Sequence, residues 1–251
     1  DSFLPYLSGV TFMVLNQGNQ LVRQGHDLSI FRPRPKLLKR SIPLPEGLDP
    51  AIAIHEVPVA LPTRKLPDLR ITVPTFLYSL RKVRRFRPDI VHAHTEWGCG
   101  WEGLLAARVL KVPVVGTFHT FFADPGYLRQ FYLPNLRATR GAMWRVSTTF
   151  YNRCDAIICP SKETKRILMS RKMRREPVVI SNGIQEPELK SEPDIQQLRK
   201  QYGVTGSPVF IYLGRVSAEK SMEVTLQAFR RVLDKYPRAQ LVVVGSGPSD
   251  K

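Results

Sequence analysis

"VFIYLGRVSAEKSMEVTLQAFRRVLDKYPRAQLVVVG", residues 209 to 245, contains the pattern that decides the fold. It begins with an apolar run, passes through a charged turn into an amphipathic stretch, and ends in a second apolar run followed by glycine. Apolar runs that do not alternate with polar residues are typical of parallel strands buried on both faces. The pattern therefore predicts a strand, helix, strand unit with its helix at 222–235.

The same alternation recurs in the earlier part of the chain. Apolar runs rich in Val and Ile lie between helical patterns at residues 27–31, 89–94, 112–119, 156–161 and 177–181. Strands and helices in regular succession predict an α/β fold of doubly wound parallel sheets. Such sheets bind ligands at the carboxyl ends of their strands, so we expect the site residues there.

The polar stretch at 186–207 contains two prolines and interrupts this alternation. We interpret it as a linker between a first Rossmann-like domain at 1–185 and a second at 208–251. The second domain shows only two strands, so we expect it to be incomplete. A proline-rich stretch at 36–74 has no clear period, and we expect it to wrap the first domain with one or two short extended pieces.

The chain is strongly basic. Thirty-eight Lys and Arg against 21 Asp and Glu give 251 residues a net charge of +17. This charge predicts attraction to a polyanion, which would be nucleic acid, an anionic membrane surface or a phosphorylated small molecule. Cys99, Cys154 and Cys159 match no metal-binding spacing and suit a reducing compartment such as the cytoplasm. No apolar run approaches the roughly 18 to 20 residues of a transmembrane helix.

The charged turn after the strand at 209–214 is the first candidate site. Arg215 and Lys220 flank it, and a helix beginning near Ser221 would point its amide groups outward, so that two cations and a helix dipole could meet one diphosphate. Glu219 would orient one cation or contact a ribose. A solvated charged turn is the alternative.

A glycine-rich turn follows the next strand. Gly245 and Gly247 belong to "VVVGSGP" at 242–248, which adds a second turn suited to phosphate on a neighbouring strand. The NAD fingerprint G-x-G-x-x-G would need a third glycine where Asp250 stands, and Pro248 directly follows the second glycine, so we reject a dinucleotide site.

A third turn of this kind lies near the start of the chain. In "LPYLSGV" at 4–10, a small residue and Gly9 precede a helical pattern. Such a turn lets a backbone approach a phosphate at a helix N-terminus, although a plain turn before a helix has the same spacing.

Three histidines follow two predicted neighbouring strands. His92 and His94 end one strand, and His119 ends the next. Strand ends at the carboxyl edge make each of them a candidate for substrate contact, with a hydrogen-bonded core histidine as the alternative. No further ligands accompany them, so we predict no bound metal.

A basic amphipathic helix is predicted at 76–87, "FLYSLRKVRRFR". Leu77, Leu80 and Val83 share one stripe, and the remaining positions include four cations: Arg81, Lys82, Arg84 and Arg85. Basic stretches also occur at 127–151 and 165–175. A solvated charged face, an anionic lipid surface and nucleic acid are the possible interpretations.

Taken together, these segments resemble the group 1 (family 4) retaining glycosyltransferases of the GT-B fold, which have two facing Rossmann-like domains. The resemblance rests on an ordered set of motifs: "LPYLSGV", "RPDIVHAHTEWGCG", "VPVVGTFHT", "FYNRCDAIICPS", "VVISNGI", "YLGRVSAEKSMEVTLQAF" and "LVVVGSGP". "GTFHTFFADPGYLRQFY" and "FYNRCDAIICPS" are similar to the branch that glycosylates diacylglycerol or related lipids.

The resemblance implies roles for matching positions. Arg215 and Lys220 resemble the pair that binds the donor diphosphate, Gly9 resembles the glycine of the phosphate-facing loop, and His119 resembles the histidine that lies against the donor sugar. Asn182 and Gly183 match the turn that ends the first domain. Ser8 and Ser221 depart from the family, which has Gly or Asn and Gly there. The acidic E-x7-E motif would lie beyond Lys251, so we expect this chain alone to be inactive.

The implied function is metal-independent hexose transfer, with retention of configuration, from a nucleotide sugar such as UDP-hexose to a diacylglycerol-like lipid. We expect no cofactor and a peripheral location at the inner face of a membrane. The candidates for the acceptor or membrane side are His94, Arg81, Lys82, Arg84 and Arg85. Two alternatives remain open. One is the same chemistry on a soluble sugar or polysaccharide, and the other is a non-catalytic nucleic-acid-binding protein, for which no recognisable motif is present.

Overall fold

The computed structural model describes residues 3, 8–34, 47–62, 70–75, 77–183, 193–217 and 220–247. The chain divides into two compact units. Unit 1 comprises Asp1–Ala123 and Leu136–Gln185, and unit 2 comprises Asp124–Asn135 and Glu186–Lys251. Both contain parallel strand pairs and helices, which confirms the predicted α/β class.

The elements alternate along the chain. The helices are α1 (Gly9–Arg23), α2 (Leu77–Phe86), α3 (Gly98–Leu110), α4 (Pro125–Gln130), α5 (Arg137–Tyr151), α6 (Lys162–Met169), α7 (Ile195–Gln201) and α8 (Met222–Lys235). The strands are β1 (Ser29–Pro33), β2 (Ala53–Val57), β3 (Ala60–Pro62), β4 (Arg70–Thr72), β5 (Val91–Ala93), β6 (Val114–Thr117), β7 (Ala156–Cys159), β8 (Val178–Val179), β9 (Val209–Leu213) and β10 (Gln240–Val244).

The main sheet of unit 1 has the strand order β5-β6-β7-β8, with parallel pairing throughout. Each of these strands was predicted from an apolar run. A separate parallel pair joins β1 to β2, and an antiparallel pair joins β3 to β4. The strands β2, β3 and β4 fall in the proline-rich stretch, where only one or two extended pieces were expected. Residues 36–46 and 63–69 of this stretch lie outside the described residues.

The core of unit 1 is aromatic and lies beside β6. Phe118, Phe150 and Tyr151 are fully buried together with Leu104 and Ile157. Burying each such side chain stabilises the fold by about 1.5–3 kcal/mol. Gly116 of β6 makes this packing possible, because a Cβ there would lie 2.8 Å from Cys154 Sγ and 3.0 Å from the Tyr151 ring.

Unit 2 contains the predicted strand, helix, strand unit. Strands β9 and β10 pair in parallel from Val209 opposite Gln240 to Leu213 opposite Val244, and α8 has the predicted bounds. Burial on both faces was expected but is not found, since Ile211 is 69% and Leu213 80% exposed. The described part of this unit has only these two paired strands, so part of their surface faces no neighbour.

Within the described ranges, every helix is too short or too polar to cross a lipid bilayer.

Candidate active site

The carboxyl edge of the main sheet in unit 1 brings three histidines together. Strands β5 and β6 pair with Ala93 opposite Gly116, so the residues that follow them are neighbours. His94 Nδ1 lies 3.1 Å from His119 Nε2. The ring centroid of His94 lies 4.0 Å from that of His92 and 5.4 Å from that of His119. His92, His94 and His119, which were each predicted as candidate site residues, therefore form one cluster.

The histidine cluster is neutral near pH 7. Burial lowers the pKa of His92 to about 4. Burial and the neighbouring His92 lower the pKa of His119 to about 4. The pKa of His94 falls well below its ordinary value because of burial and the two other rings. His92 Nε2 also lies 2.7 Å from Thr117 Oγ1. Neutral imidazoles each carry one ring proton, so the cluster can donate and accept hydrogen bonds at defined atoms.

A buried polar network lies next to these histidines. Glu96 is 2% exposed, and its carboxyl accepts a hydrogen bond from Ser147 Oγ at 2.8 Å. Tyr151 Oη lies 3.2 Å from Glu96 Oε2 and 3.1 Å from the Thr117 carbonyl oxygen. Burial raises the pKa of Glu96 above its ordinary value, although these hydrogen bonds oppose the shift.

Sequence reasoning did not identify this network. Glu96 lies two residues after His94, and Thr117 two residues before His119. The position of Glu96 within "HAHTE" was the available signal. Ser147 and Tyr151 come from α5, far along the chain, so their contribution is visible only in three dimensions.

The start of α1 is formed by a serine cap. Ser8 Oγ accepts a hydrogen bond from the backbone N–H of Thr11 at 3.1 Å, which satisfies one free amide of the first turn. Gly9 is the first helical residue, and a Cβ at Gly9 would have no neighbour within 4 Å. Space alone therefore does not require glycine at this position. Leu4–Leu7, the remainder of the predicted phosphate turn, lie outside the described residues.

A cavity of about 400 Å³ lies in unit 1 between α1 and the strand ends. His92 and Thr117 of the site line it on one side. Amide, apolar and cationic side chains complete the lining, among them Asn16, Gln17, Gln20, Arg23, Met13, Ile158, Ile180 and Asn182. Its walls thus combine hydrogen-bonding groups with apolar surface.

The predicted diphosphate turn lies in unit 2. Arg215 follows β9, and its carbonyl oxygen accepts a hydrogen bond from Tyr212 Oη at 2.9 Å. The backbone N–H of Lys220 donates to the Ser217 carbonyl at 3.0 Å, and the Lys220 side chain is exposed. Both cations thus belong to the same strand-to-helix turn. Glu219, the third predicted residue, lies outside the described residues.

Ser221 stands at the start of α8 in a left-handed backbone conformation, with φ 52° and ψ 42°, and its side chain does not cap the helix. The resemblance stated from the sequence implies glycine at this position. In this conformation the Cβ of serine lies unfavourably close to the following carbonyl oxygen, whereas glycine has no Cβ.

The second glycine-rich turn packs directly on the first. The N–H of Gly214 donates to the Val244 carbonyl at 3.0 Å, and that of Val216 donates to the Ser246 carbonyl at 3.1 Å. A Cβ on Gly245 would collide with the Gly214 carbonyl, and one on Gly247 with the Val216 carbonyl. The close backbone approach is a structural reason for both glycines, and their role in donor binding stays a prediction.

Helix α2 presents its cations to solvent. Ser79 and Val83 are buried, and α2 packs against α3. The four predicted cations are all exposed: Arg81, Lys82, Arg84 and Arg85. Phe86 and Ile90 near the end of the helix are 37% and 54% exposed. We call the four cations together with Phe86 and Ile90 the α2 surface.

Nowhere in the described ranges do three or more His, Cys, Asp or Glu side chains form an arrangement that could hold a metal ion.

Two family models match the chain. Residues 7–186 match the family model "Glycosyltransferase Family 4", and residues 194–251 match "Glycosyl transferases group 1". The α-monoglucosyldiacylglycerol synthase of Streptococcus pneumoniae is 31% identical over 99% of this chain and 55% of its own length. The synthase of the same name from Acholeplasma laidlawii is 27% identical over 99% of this chain and 62% of its own length.

Other relatives carry different names. A GDP-mannose-dependent α-mannosyltransferase of Mycobacterium tuberculosis is 29% identical over 98% of this chain and 61% of its own length. The chain thus spans between 55% and 62% of the length of these three relatives.

Among solved structures, the sucrose-phosphate synthase of Thermosynechococcus elongatus matches 97% of this chain and 59% of its own, with a TM-score of 0.65 and 16% identity. At this identity the likeness concerns the fold alone. The fold and the ordered motifs agree with both family models, and the chain belongs to the group 1 (family 4) glycosyltransferases.

Proposed function

We propose that the protein transfers a hexose from a nucleotide sugar, with UDP-hexose as our candidate donor, to a diacylglycerol-like lipid at the inner face of a membrane. The observation that carries the proposal is the match to both family models along the chain, together with two relatives named α-monoglucosyldiacylglycerol synthase. The charge of +17 agrees with substrates and surfaces that are anionic.

Arg215 and Lys220 are the proposed diphosphate-binding pair. They flank the turn between β9 and α8, and the exposed Lys220 ammonium is available to an anion. Fixed cations stabilise the negative charge that develops on a departing diphosphate, a task that a divalent metal performs in other transferases. Removal of one such donor in a comparable electrostatic site costs about 3–4 kcal/mol of transition-state stabilisation.

We propose that transfer proceeds with retention of configuration. The bond between the anomeric carbon and the diphosphate oxygen breaks, and the acceptor oxygen bonds to the same face of the sugar. The acceptor proton passes to the departing diphosphate. In this proposal His119 does not act as a nucleophile but positions the sugar through hydrogen bonds, which a neutral ring held by His94 can make.

The acceptor side belongs to unit 1 in this proposal. The cavity beside His92 has amide side chains that can pair with hydroxyl groups and apolar walls that can contact the first carbons of a lipid. The α2 surface would bind anionic head groups, at about 1 kcal/mol per cation near the bilayer, and Phe86 and Ile90 would add apolar contact.

The test is an acceptor panel with the full-length protein. Labelled UDP-hexose is supplied with diacylglycerol in anionic vesicles, with diacylglycerol in neutral vesicles, or with soluble mono- and oligosaccharides. We expect label in the lipid fraction, and more of it with anionic vesicles. Transfer only to soluble sugars would refute the lipid acceptor, and tight salt-sensitive binding to RNA or DNA without any transfer would refute the enzymatic function.

A further inference from the structure

His94 contacts the ring of His119 directly. We propose that His94 is a positioning residue that holds the His119 ring in one orientation and one tautomer. This inference rests on the proposed function, in which His119 contacts the donor sugar. It assigns no chemical step to His94, which acts only through its neighbour.

The contact itself limits the protons that the two rings can carry. His94 Nδ1 and His119 Nε2 lie 3.1 Å apart, and one proton occupies a hydrogen bond of this kind. The nitrogen that donates has its proton at the contact, and its partner must be unprotonated there. Because both rings are neutral near pH 7, the tautomer of one ring determines that of the other.

The consequence concerns Nδ1 of His119. With Nε2 engaged by His94, Nδ1 is the ring nitrogen left for a ligand. Its state follows from the shared proton: it is an acceptor if His119 donates to His94, and a donor if His94 donates to His119. The pairing couples the two rings, so that His119 can turn over or change tautomer on its own only by losing the hydrogen bond to His94.

The buried network fixes the distance between the two histidine-bearing segments. Tyr151 Oη has one proton, and the Thr117 carbonyl oxygen can only accept, so Tyr151 donates to Thr117. The same hydroxyl lies 3.2 Å from Glu96 Oε2, to which it can also donate, so its one proton faces two acceptors. Burial of this carboxyl group raises its pKa and favours the neutral form, although the hydrogen bonds from Ser147 and Tyr151 act in the opposite direction.

Tyr151 thereby ties together the segment after β5 and the end of β6. Glu96 lies two residues beyond His94, and Thr117 two residues before His119. One side chain of α5 thus contacts both segments close to the paired rings. The His94–His119 distance is held by this network and by the pairing of β5 with β6, rather than by the two rings alone.

A satisfied core histidine would show the same burial, so the test must separate packing from positioning. We would compare His94→Leu with His94→Asn in the full-length protein, because the Asn amide lies near the position of Nδ1 and can restore the hydrogen bond. His26→Leu is the matched control, since His26 is exposed and lies outside the cluster. Thermal melts establish that each variant is folded.

The first measurement is kinetic. We expect His94→Leu to lower kcat about 10- to 100-fold with little change in KM, the effect of a misplaced sugar-contacting group. His94→Asn should recover most of this loss, and His26→Leu should match the parent protein. A folded His94→Leu variant with the parent kcat would overturn the proposal, as would a folded His94→Asn variant no more active than His94→Leu.

The second measurement needs no activity. Nitrogen NMR of protein labelled with ¹⁵N-histidine reports the tautomer of each ring, and His119→Gln assigns the His119 signals. We expect one tautomer of His119 in the parent protein and in His94→Asn, and a mixture in His94→Leu. One unchanged tautomer in all three would overturn the proposal. If His119→Gln leaves transfer unaffected, the role of His119 in the proposed function fails, and the nitrogen shifts still decide whether His94 orients the ring.

Discussion

Tyr151 Oη lies 3.1 Å from the carbonyl oxygen of Thr117, so the last residue of α5 is bonded to the last residue of β6. The same hydroxyl lies 3.2 Å from Glu96, which follows β5. Residues 34 and 55 positions apart in the sequence therefore meet at one oxygen atom. This contact supports the segments that carry His94 and His119.

The protonation of Glu96 predicts a pH-dependent stability difference. Burial raises its folded-state pKa above the ordinary value of 4.5, so the stability from the neutral carboxyl is complete below pH 4.5 and is lost as the pH rises through the folded pKa. The Gln side chain of Glu96→Gln stays neutral, so the variant does not lose this stability as the pH rises. In urea unfolding between pH 5 and 8, we expect the variant to gain free energy of unfolding relative to the parent as the pH rises.

Glu163→Gln is the control for this experiment. Glu163 is exposed, and its hydrogen bond with Arg166 lowers the Glu163 pKa, so its titration lies below pH 5. The difference between this variant and the parent should stay constant from pH 5 to 8. A constant difference for Glu96→Gln as well would mean that Glu96 is already ionised in the folded protein at pH 5, which would contradict its raised pKa.

Ser221→Gly should stabilise unit 2. The left-handed conformation of Ser221, with φ 52°, costs a residue with a side chain about 1–2 kcal/mol, and the greater freedom of glycine in the unfolded chain returns part of this. We expect a net gain of about 0.5–1 kcal/mol, visible as a higher Tm. Ser170→Gly is the matched control. Ser170 has φ −69°, which serine adopts without strain, so this substitution should lower the Tm. A lower Tm for Ser221→Gly would show that the serine side chain contributes more than the strain costs.

If Arg215 binds the donor diphosphate as proposed, Arg215→Ala should lower turnover of the nucleotide sugar by about 10²–10³-fold in the full-length protein, because one fixed cation is removed. The hydrogen bond from Tyr212 goes to the backbone of Arg215 and survives the change. Arg215→Lys should retain part of the activity. Arg230→Ala, at an exposed position of α8, should not alter turnover. Parent-like turnover by Arg215→Ala would place the diphosphate elsewhere.

The α2 surface should determine vesicle binding. Replacing its four cations by Gln removes about 1 kcal/mol each of attraction to anionic lipid, and co-sedimentation with anionic vesicles should fall accordingly. The control replaces four exposed cations of unit 2, namely Lys200, Arg230, Arg231 and Arg238. Residual binding by the parent at high salt would report apolar contact through Phe86 and Ile90. Equal losses in both quadruple variants would show that net charge, rather than this surface, drives binding.

Much of the fold could be predicted because its strands are apolar and its helices periodic. The predicted helix at 222–235 has the observed bounds, and the predicted strands of both units are present. The pairing of β3 with β4 could not be predicted, because three-residue strands have no readable period. The exposure of β9 could not be predicted either. An apolar run shows that the side chains of a strand are suited to burial, but it does not show how many neighbouring elements cover them.

The site was predictable in part for a similar reason. His92, His94 and His119 were found because strand ends of a parallel sheet meet at one edge. The hydrogen bond between two of them depends on ring orientation, which no spacing reveals. In the sequence, nothing distinguishes Tyr151 from other aromatic residues at the end of a helix. Its hydroxyl reaches Glu96 only because α5 packs on β6.

The most direct test of the central claim follows the reaction by proton NMR. The full-length protein is mixed with an α-linked UDP-hexose and diacylglycerol in anionic vesicles, and the anomeric signals of donor and product are recorded over time. We predict an α-linked glycolipid that accumulates at the rate at which UDP is released. A β-linked product would contradict retention, and UDP release with free hexose but no glycolipid would contradict lipid transfer.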